Sequence, residues 1–351
     1  MDATESIADV DATSDDPIAT FLEEIGLYGR SEKTIADYET TLRQFERFLR
    51  GNGGPTDLDG VARRDCLSWI QHLRDEGYAP GSIRTKAVHL NRFYSHMAQI
   101  GAFDANPMVV VMEQLSERGD ASPTRRDVSI DQMGAFVEEI DHPLRQAIVT
   151  MLSKTGIRAG ELCNLDLRDV NLEHEAVIDY RDTPPRAAVR DHPDSFFVAS
   201  DIAIGSVVNG EQRAEGNKRH RDTRIPIDEE LKEALVRWLA IRPDPASAAD
   251  PLFVSTSRKC GQRLTVDMVH SHVREAAEER GWYAEGAGPE ENVTPHYFRH
   301  FFTTRLRGRV EDAYLVQYIR GDVGDVMDRY THDWEELVEK PYRNHIFQFS
   351  E

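Results

Sequence analysis

Between residues 17 and 112 the apolar positions recur at three- and four-residue steps. Ile35, Tyr38, Leu42, Phe45 and Leu49 share one face of a 3.6-residue period. Gly51-Asn52-Gly53-Gly54-Pro55 ends that helix, because glycine and proline punctuate a helical pattern. Leu67, Ile70 and Leu73 mark a second, shorter helix. After the break at residues 77–81, Ile83, Leu90, Tyr94 and Met97 mark a third. The pattern predicts a small all-helical domain over residues 17–112. Residues 113–126 are polar, contain Gly119, Ser122 and Pro123, and read as a linker.

The second half mixes periods. Ser129 and Gln132 are spaced as a capping box, ahead of a helix carrying Phe136 and Ile140. Leu144, Ile148, Met151 and Leu152 form the next apolar face, stopped at Gly156. Residues 176–180 and 223–227 are expected strands, rich in β-branched residues. Between them, residues 181–216 hold much Pro, Gly, Arg and Asp with weak periodicity, and read as an inserted loop or hairpin. Leu231, Leu235, Trp238 and Leu239, then Val266, Val269 and Val273, then Leu315, Val316 and Ile319 mark three further helices. The fold class expected is therefore mainly α with a small antiparallel β-sheet, a mixed domain over residues 127–345 and a short tail at 346–351.

Bulk properties narrow the class. The chain has 351 residues, enough for two domains, and 40% hydrophobic residues, enough for real cores. No run approaches the roughly 18 consecutive apolar residues of a membrane helix. Residues 1–16 are acidic, lack the basic start and apolar stretch of a signal peptide, and read as a disordered tail. The three cysteines, Cys66, Cys163 and Cys260, are far apart and form no CxxC pair. That argues against a disulfide framework or a zinc site and fits a cytoplasmic protein.

The charge changes the picture. The formal net charge is −20, yet only seven of the 42 basic residues are lysine, leaving 35 arginines. Such acidic, lysine-poor chains resemble halophilic proteins, in particular haloarchaeal ones that work in molar salt. There the Debye length is about 3 Å, so surface carboxylates do not repel a polyanion at range.

Four segments carry candidate chemistry. In Thr294-Pro295-His296-Tyr297-Phe298-Arg299-His300, threonine before proline suits the start of a helix. His296 and Arg299 are then three apart on its first turn, beside the positive end of the dipole, which suits a phosphate. Thr155-Gly156-Ile157-Arg158-Ala159-Gly160-Glu161-Leu162 supplies a second guanidinium, able to give a phosphate two parallel N–H bonds. Lys218 stands in a basic turn feeding the strand at 223–227, and its ammonium, unlike a guanidinium, can surrender a proton. Tyr330, in Met327-Asp328-Arg329-Tyr330-Thr331-His332, is a poor nucleophile at its ordinary pKa of about 10 unless the group it attacks is neutralised.

Each segment alone has a bland reading: a solvated helix end, a surface Arg–Glu pair, a hairpin tip, a C-terminal anchor. Their order decides. Arg, then Lys eight residues before Pro226, then His-x-x-Arg at a helix start, then Tyr-x-His near the end resembles the tyrosine recombinase (phage integrase) family, Xer-like, over nearly the whole chain. The resemblance implies a core-binding (SAM-like) helical domain at 17–112 and an integrase-type catalytic domain at 127–345. It implies catalytic residues Arg158, Lys218, His296, Arg299 and Tyr330. The arginines would clamp the scissile phosphate, Lys218 would protonate the departing 5′ oxygen, and His296 would transfer a proton or hydrogen-bond the phosphate. Tyr330 would form a 3′-phosphotyrosyl link, with no cofactor, metal or ATP. Double-stranded DNA would be the partner, gripped in a C-shaped clamp by a homo-tetramer exchanging C-terminal tails; no membrane and no small-molecule substrate is implied. The apolar tail residues Ile346, Phe347 and Phe349 fit such association. The protein would be cytoplasmic and nucleoid-associated.

Two features depart from the family's pattern. Asp322 stands where a histidine or tryptophan is usual, and a carboxylate cannot donate to phosphate unless protonated. Asp322 would then cap the next helix while His332 or His300 serves the phosphate. The Arg158-to-Lys218 interval is also long, through residues 181–216. Two other classes stay open: a catalytically impaired DNA-binding protein of this fold, and a type IB topoisomerase.

Overall fold

A computed structural model describes residues 16–30, 32–117, 125–178, 183–322 and 333–349. It divides into two units, Met1–Pro123 and Thr124–Glu351.

The first unit is helical. Helix α1 (Pro17–Leu27) starts on Asp16, whose carboxylate accepts the Ile18 N–H at 3.1 Å, with Pro17 at the first helical position. Helix α2 (Glu32–Gly51) buries Tyr38, Leu42, Phe45 and Leu49. Helix α3 (Arg63–Asp75) buries Cys66, Trp69, Ile70 and Leu73, and α4 (Pro80–Gln99) buries Ile83, Leu90, Tyr94 and Met97 among others. Edge-on contacts of Phe21 with Tyr38 and Phe93, and of Phe45 with Trp69, knit these faces into one core. The expected linker begins late. Helix α5 (Val109–Glu117) runs through the first five of those residues, because Val111, Met112 and Leu115 continue the apolar spacing onto this core.

The second unit is built around a helix whose residues 147–155 are all buried. Before it, α6 (Ile130–Glu138) opens on a reciprocal box: Ser129 Oγ accepts the Gln132 N–H at 3.1 Å, and Gln132 Oε1 accepts the Ser129 N–H at 2.9 Å. Helix α7 (Pro143–Thr155) is the central one and ends at Gly156, in the left-handed region at φ 61°. A Cβ there would sit 2.6 Å from Phe302 Cδ1, so both the backbone and the space require glycine. Helix α8 (Ala159–Cys163) follows at once.

The sheet differs from expectation. Its strands are β1 (Val170–Asn171), β2 (Ser195–Val198) and β5 (Thr223–Pro226), antiparallel in the order β1-β2-β5. Residues expected to be a strand at 176–178 lie instead in a short helix, α9 (Glu175–Ile178), which sinks Val177 into the core. A short apolar run cannot by itself choose between the two. Residues 181–216 are not simply an insertion. They contain a turn of helix, α10 (Ala187–Arg190), and the sheet's central strand β2, whose Phe196 and Val198 are buried. Only the hairpin of β3 (Val207–Val208) and β4 (Glu211–Gln212) stands apart. A buried ion cluster fastens it: Asp166 accepts from Arg213 at 2.6 Å, from Arg263 at 2.6 Å and from Asn209 at 2.5 Å.

Helices α11 (Glu229–Ile241), α12 (Val266–Glu279), α13 (Pro295–Arg307) and α14 (Ala313–Arg320) complete the shell. A π-helical turn (Glu335–Glu339) leads into α15 (Lys340–His345). The tail folds back onto this chain: Ile346 and Phe347 are buried, Lys154 Nζ donates to the Phe347 carbonyl at 2.6 Å, and the Phe349 N–H reaches Glu230 at 2.7 Å. These apolar residues, which in sequence suit association, are satisfied within the subunit.

Candidate active site

Four short segments of the second unit converge: the α7–α8 junction, the loop before β5, the first turns of α13 and the end of α14. Arg158 is the N-cap of α8. Its backbone N–H donates to Glu161 Oε2 at 2.9 Å and its Nη1 to Glu161 Oε1 at 2.9 Å. This is no surface pair, since Glu161 is 1% exposed. Arg219 holds the same carboxylate from the other side, Nη2 to Oε2 at 3.2 Å and Nε to Oε1 at 3.4 Å. Burial alone would raise the Glu161 carboxyl, but the Arg219 and Arg158 charges outweigh it and hold the group below its ordinary value.

Arg219 also ties the Lys218 loop to α14. Its Nη1 and Nη2 both donate to the Ile319 carbonyl at 3.1 Å. Gly321 caps α14 at φ 71° with the Arg219 guanidinium where a Cβ would be, 2.6 Å from Cζ. Asn217 anchors the other flank, donating from its side chain to Ala199 O at 2.8 Å. Lys218 itself is exposed and, among the described residues, makes no hydrogen bond or ion pair. Its flanks, Asn217 and Arg219, are both held by hydrogen bonds.

Thr294 occupies the N-cap of α13 with extended backbone and Pro295 follows, although its side chain makes no capping bond. Arg299, 4% exposed, is pinned inward: Nη1 donates to Gly156 O at 2.7 Å and Arg320 O at 3.0 Å, and Nη2 donates to Asp322 Oδ1 at 2.6 Å. Burial, then the charges of Arg158 and Arg320, push its pKa down to about 10. His296 lies one turn earlier at the rim. Partial desolvation, followed by Arg125, Arg299, Arg320 and Arg158, lowers its pKa, so the imidazole is neutral at pH 7.

Asp322 does what the sequence did not foretell. Its carboxylate pairs with three arginines: Arg299 at 2.6 Å, Arg320 Nε at 3.1 Å and Arg158 Nη2 at 3.7 Å. The helix that Asp322 was expected to cap lies outside the described residues. Arg158, Arg299 and His296 are thus brought together, and Lys218 sits on a loop braced against the same Glu161. Tyr330 and His332 lie outside the described residues. His300 is exposed, its pKa lowered by desolvation and by Arg125, Arg305 and Arg320.

Sequence reasoning missed Arg219, Arg320 and the engagement of Asp322. Arg219 stood in plain view beside Lys218, but nothing in a run of basic residues tells which one turns inward. The geometry gathers the guanidiniums of Arg158, Arg299 and Arg320 around one carboxylate, with the imidazole of His296 beside them.

Comparison with known proteins agrees. Residues 197–336 match the phage integrase family, and residues 18–99 match the phage integrase N-terminal SAM-like domain. The tyrosine recombinase XerC of Chromohalobacter salexigens is 24% identical over 319 residues, covering 88% of this chain and 89% of that protein. XerA of Pyrococcus furiosus is 26% identical over 305 residues, 86% and 83% respectively. The fold is shared with the Tn1549 transposon integrase in complex with a circular intermediate DNA, at TM-score 0.67 and 18% identity, over 92% of this chain and 93% of that one. It is also shared with the lambda integrase dimer bound to a COC′ core site, at 0.59 and 16%, over 90% and 94%. The chain belongs to the tyrosine recombinase, or phage integrase, family.

Proposed function

We propose that this protein is a site-specific DNA recombinase that breaks and rejoins duplex DNA through Tyr330. One observation carries the reading: the guanidiniums of Arg158 and Arg299, from different helices, meet on a single anion. A scissile phosphate placed there has its charge neutralised, and the arginines strengthen their hold as the pentacoordinate transition state gains charge. The phenol oxygen of Tyr330 forms a bond to phosphorus as the bond to the 5′ oxygen breaks. His296, held neutral by partial desolvation and its arginine neighbours, is available to take the phenolic proton, and Lys218 supplies a proton to the leaving oxygen. The phosphotyrosyl bond keeps the energy of the phosphodiester, so attack by a free 5′ hydroxyl reverses the step without ATP.

The division of labour follows the domain reading: residues 17–112 as core-binding domain, 127–345 as catalytic domain. Strand exchange needs two duplexes, which supports a homo-tetramer on DNA, in the nucleoid. The acidic, arginine-biased surface supports a halophilic, haloarchaeal-type setting. Neither alternative is favoured, since both matched models describe integrase domains.

The test begins by selecting binding sites with Tyr330→Phe protein in molar KCl, then nicking a selected duplex to trap cleavage. Wild-type protein should give a denaturant-resistant adduct and Tyr330→Phe none. DNA binding with no adduct from the wild type would reduce the protein to a binding module. Relaxation of supercoils without site preference would indicate topoisomerase action instead.

A further inference from the structure

Three guanidiniums, not two, close on Asp322. Arg158 and Arg299 are accounted for by the recombinase reaction proposed for Tyr330; Arg320 is not, and a role for it rests on that reading. Its backbone cannot wander. The Arg299 side chain donates to the Arg320 carbonyl at 3.0 Å, the Arg219 side chain to the preceding carbonyl of Ile319, and Gly321 is sealed against Arg219. Its side chain is 26% exposed overall, while its Nε, 3.1 Å from Asp322 Oδ2, is buried and makes an ion pair there without hydrogen-bond geometry. Arg320 also bears on the two neighbouring site residues, being among the charges that lower the pKa values of Arg299 and His296.

Carboxylate and phosphate grip a guanidinium by the same charge-assisted, often paired hydrogen bonds. One oxygen of Asp322 lies 2.6 Å from Arg299 Nη2 and 3.7 Å from Arg158 Nη2, which is the location a phosphate held by that pair must take. Both anions cannot hold it. In the free protein, however, three crowded cations need a counter-ion, and the only carboxylates paired with them among the described residues are Asp322 and Glu161. Glu161 is buried behind the site and committed to Arg219. Asp322, at the accessible side, is the exchangeable one.

We propose that Arg320 is a third phosphate-binding arginine, and that Asp322 is an internal anion holding the three guanidiniums together until a DNA phosphate displaces it. The carboxylate thereby keeps the site assembled in the free protein and opposes binding of any phosphate that does not engage all three arginines.

The test uses the full chain and inorganic phosphate at constant ionic strength, with the melting temperature as readout. Asp322→Asn should melt lower without phosphate, and its half-saturating phosphate concentration should fall about tenfold, the scale of one charge-assisted hydrogen bond lost by the competitor. Arg320→Gln should need about tenfold more phosphate, with Arg320→Lys in between because it keeps charge but not the fork. In the Tyr330→Phe background, Asp322→Asn should bind selected DNA more tightly and Arg320→Gln more weakly. Weaker or unchanged phosphate and DNA binding by Asp322→Asn would overturn the proposal and make Asp322 a positioning residue. An unchanged response in Arg320→Gln would remove Arg320 from the site, and that variant serves if Asp322→Asn does not fold. A wild-type protein that answers to phosphate but forms no adduct would leave this inference standing and sink the Tyr330 chemistry instead.

Discussion

At the scale of single residues, the site works through differences between cations. Arg299 makes three directed hydrogen bonds, to Gly156, Arg320 and Asp322, from one planar fork. Lysine could satisfy one direction well. Arg299→Lys should therefore fold yet lose roughly 10²–10³ in the rate of adduct formation, the usual scale for removing one transition-state donor. His296 makes the reverse point, since it serves by being uncharged. Its pKa is lowered from 6.5 by desolvation and the surrounding arginines, so cleavage should persist below that pH and fall only as the imidazole gains its proton. In His296→Gln that acid limb should disappear from the pH–rate profile. The linkage to stability has a definite sign. The unfolded chain binds this proton at a higher pH than the folded one, so the His296 contribution opposes folding increasingly as pH drops below 6.5. Urea midpoints for wild type and His296→Gln should converge above neutrality, with the wild type losing more on acidification. Much of this is legible in the sequence, because Arg158, Lys218, His296 and Arg299 lie in segments whose order is informative. Arg320 and Asp322 are not, since their meaning depends on three side chains brought from separate helices.

At the scale of elements, the α7–Gly156–α8 corner places Arg158. Gly156 combines a left-handed φ with a close approach to Phe302 and a carbonyl that receives Arg299. Gly156→Ala should lower stability by about 1–3 kcal/mol from backbone strain alone, measured by urea denaturation, and lower adduct formation besides. The same helix hides Lys154, fully buried and paired with Asp228 and Glu230 beneath the tail. Lys154→Met would leave Asp228 buried without its cation, and should cost about 3–5 kcal/mol. A protein as stable as wild type would mean that the tail does not depend on this pair. Local signals are readable here: the Ser129–Gln132 box, the Gly156 stop and the β5 strand depend on near neighbours in sequence. Residues 176–178 of the strand expected at 176–180 are helical, and the place beside β2 is taken by Val170 and Asn171, a choice made by tertiary packing; residues 179–180 lie outside the described residues. The stretch 181–216 conceals β2 because only its partners, β1 and β5, reveal it as the middle of a sheet.

For the whole molecule, 62 acidic against 42 basic residues set the solution conditions. At 0.1 M salt the Debye length is about 10 Å, and repulsion among surface carboxylates acts between neighbours; in molar salt it is screened within about 3 Å. The melting temperature should rise steadily as KCl is increased from 0.1 M to molar concentrations. A protein most stable in dilute buffer would contradict the halophilic reading. Net charge is plain in the sequence, but the gathering of Arg158, Arg299 and Arg320 around Asp322 is not. The tail likewise reads in sequence as an associating segment, whereas Phe347 is buried inside its own subunit.

The central claim is that Tyr330 becomes covalently joined to DNA. Trapping wild-type protein on a nicked, selected duplex, trimming the DNA with nuclease and mapping the modified peptide by mass spectrometry tests it directly. The account predicts a nucleotide attached through a 3′ phosphate to Tyr330, with a free 5′ hydroxyl on the other strand end and no adduct from Tyr330→Phe. A nucleotide on any other residue, or an adduct that survives Tyr330→Phe, would contradict it.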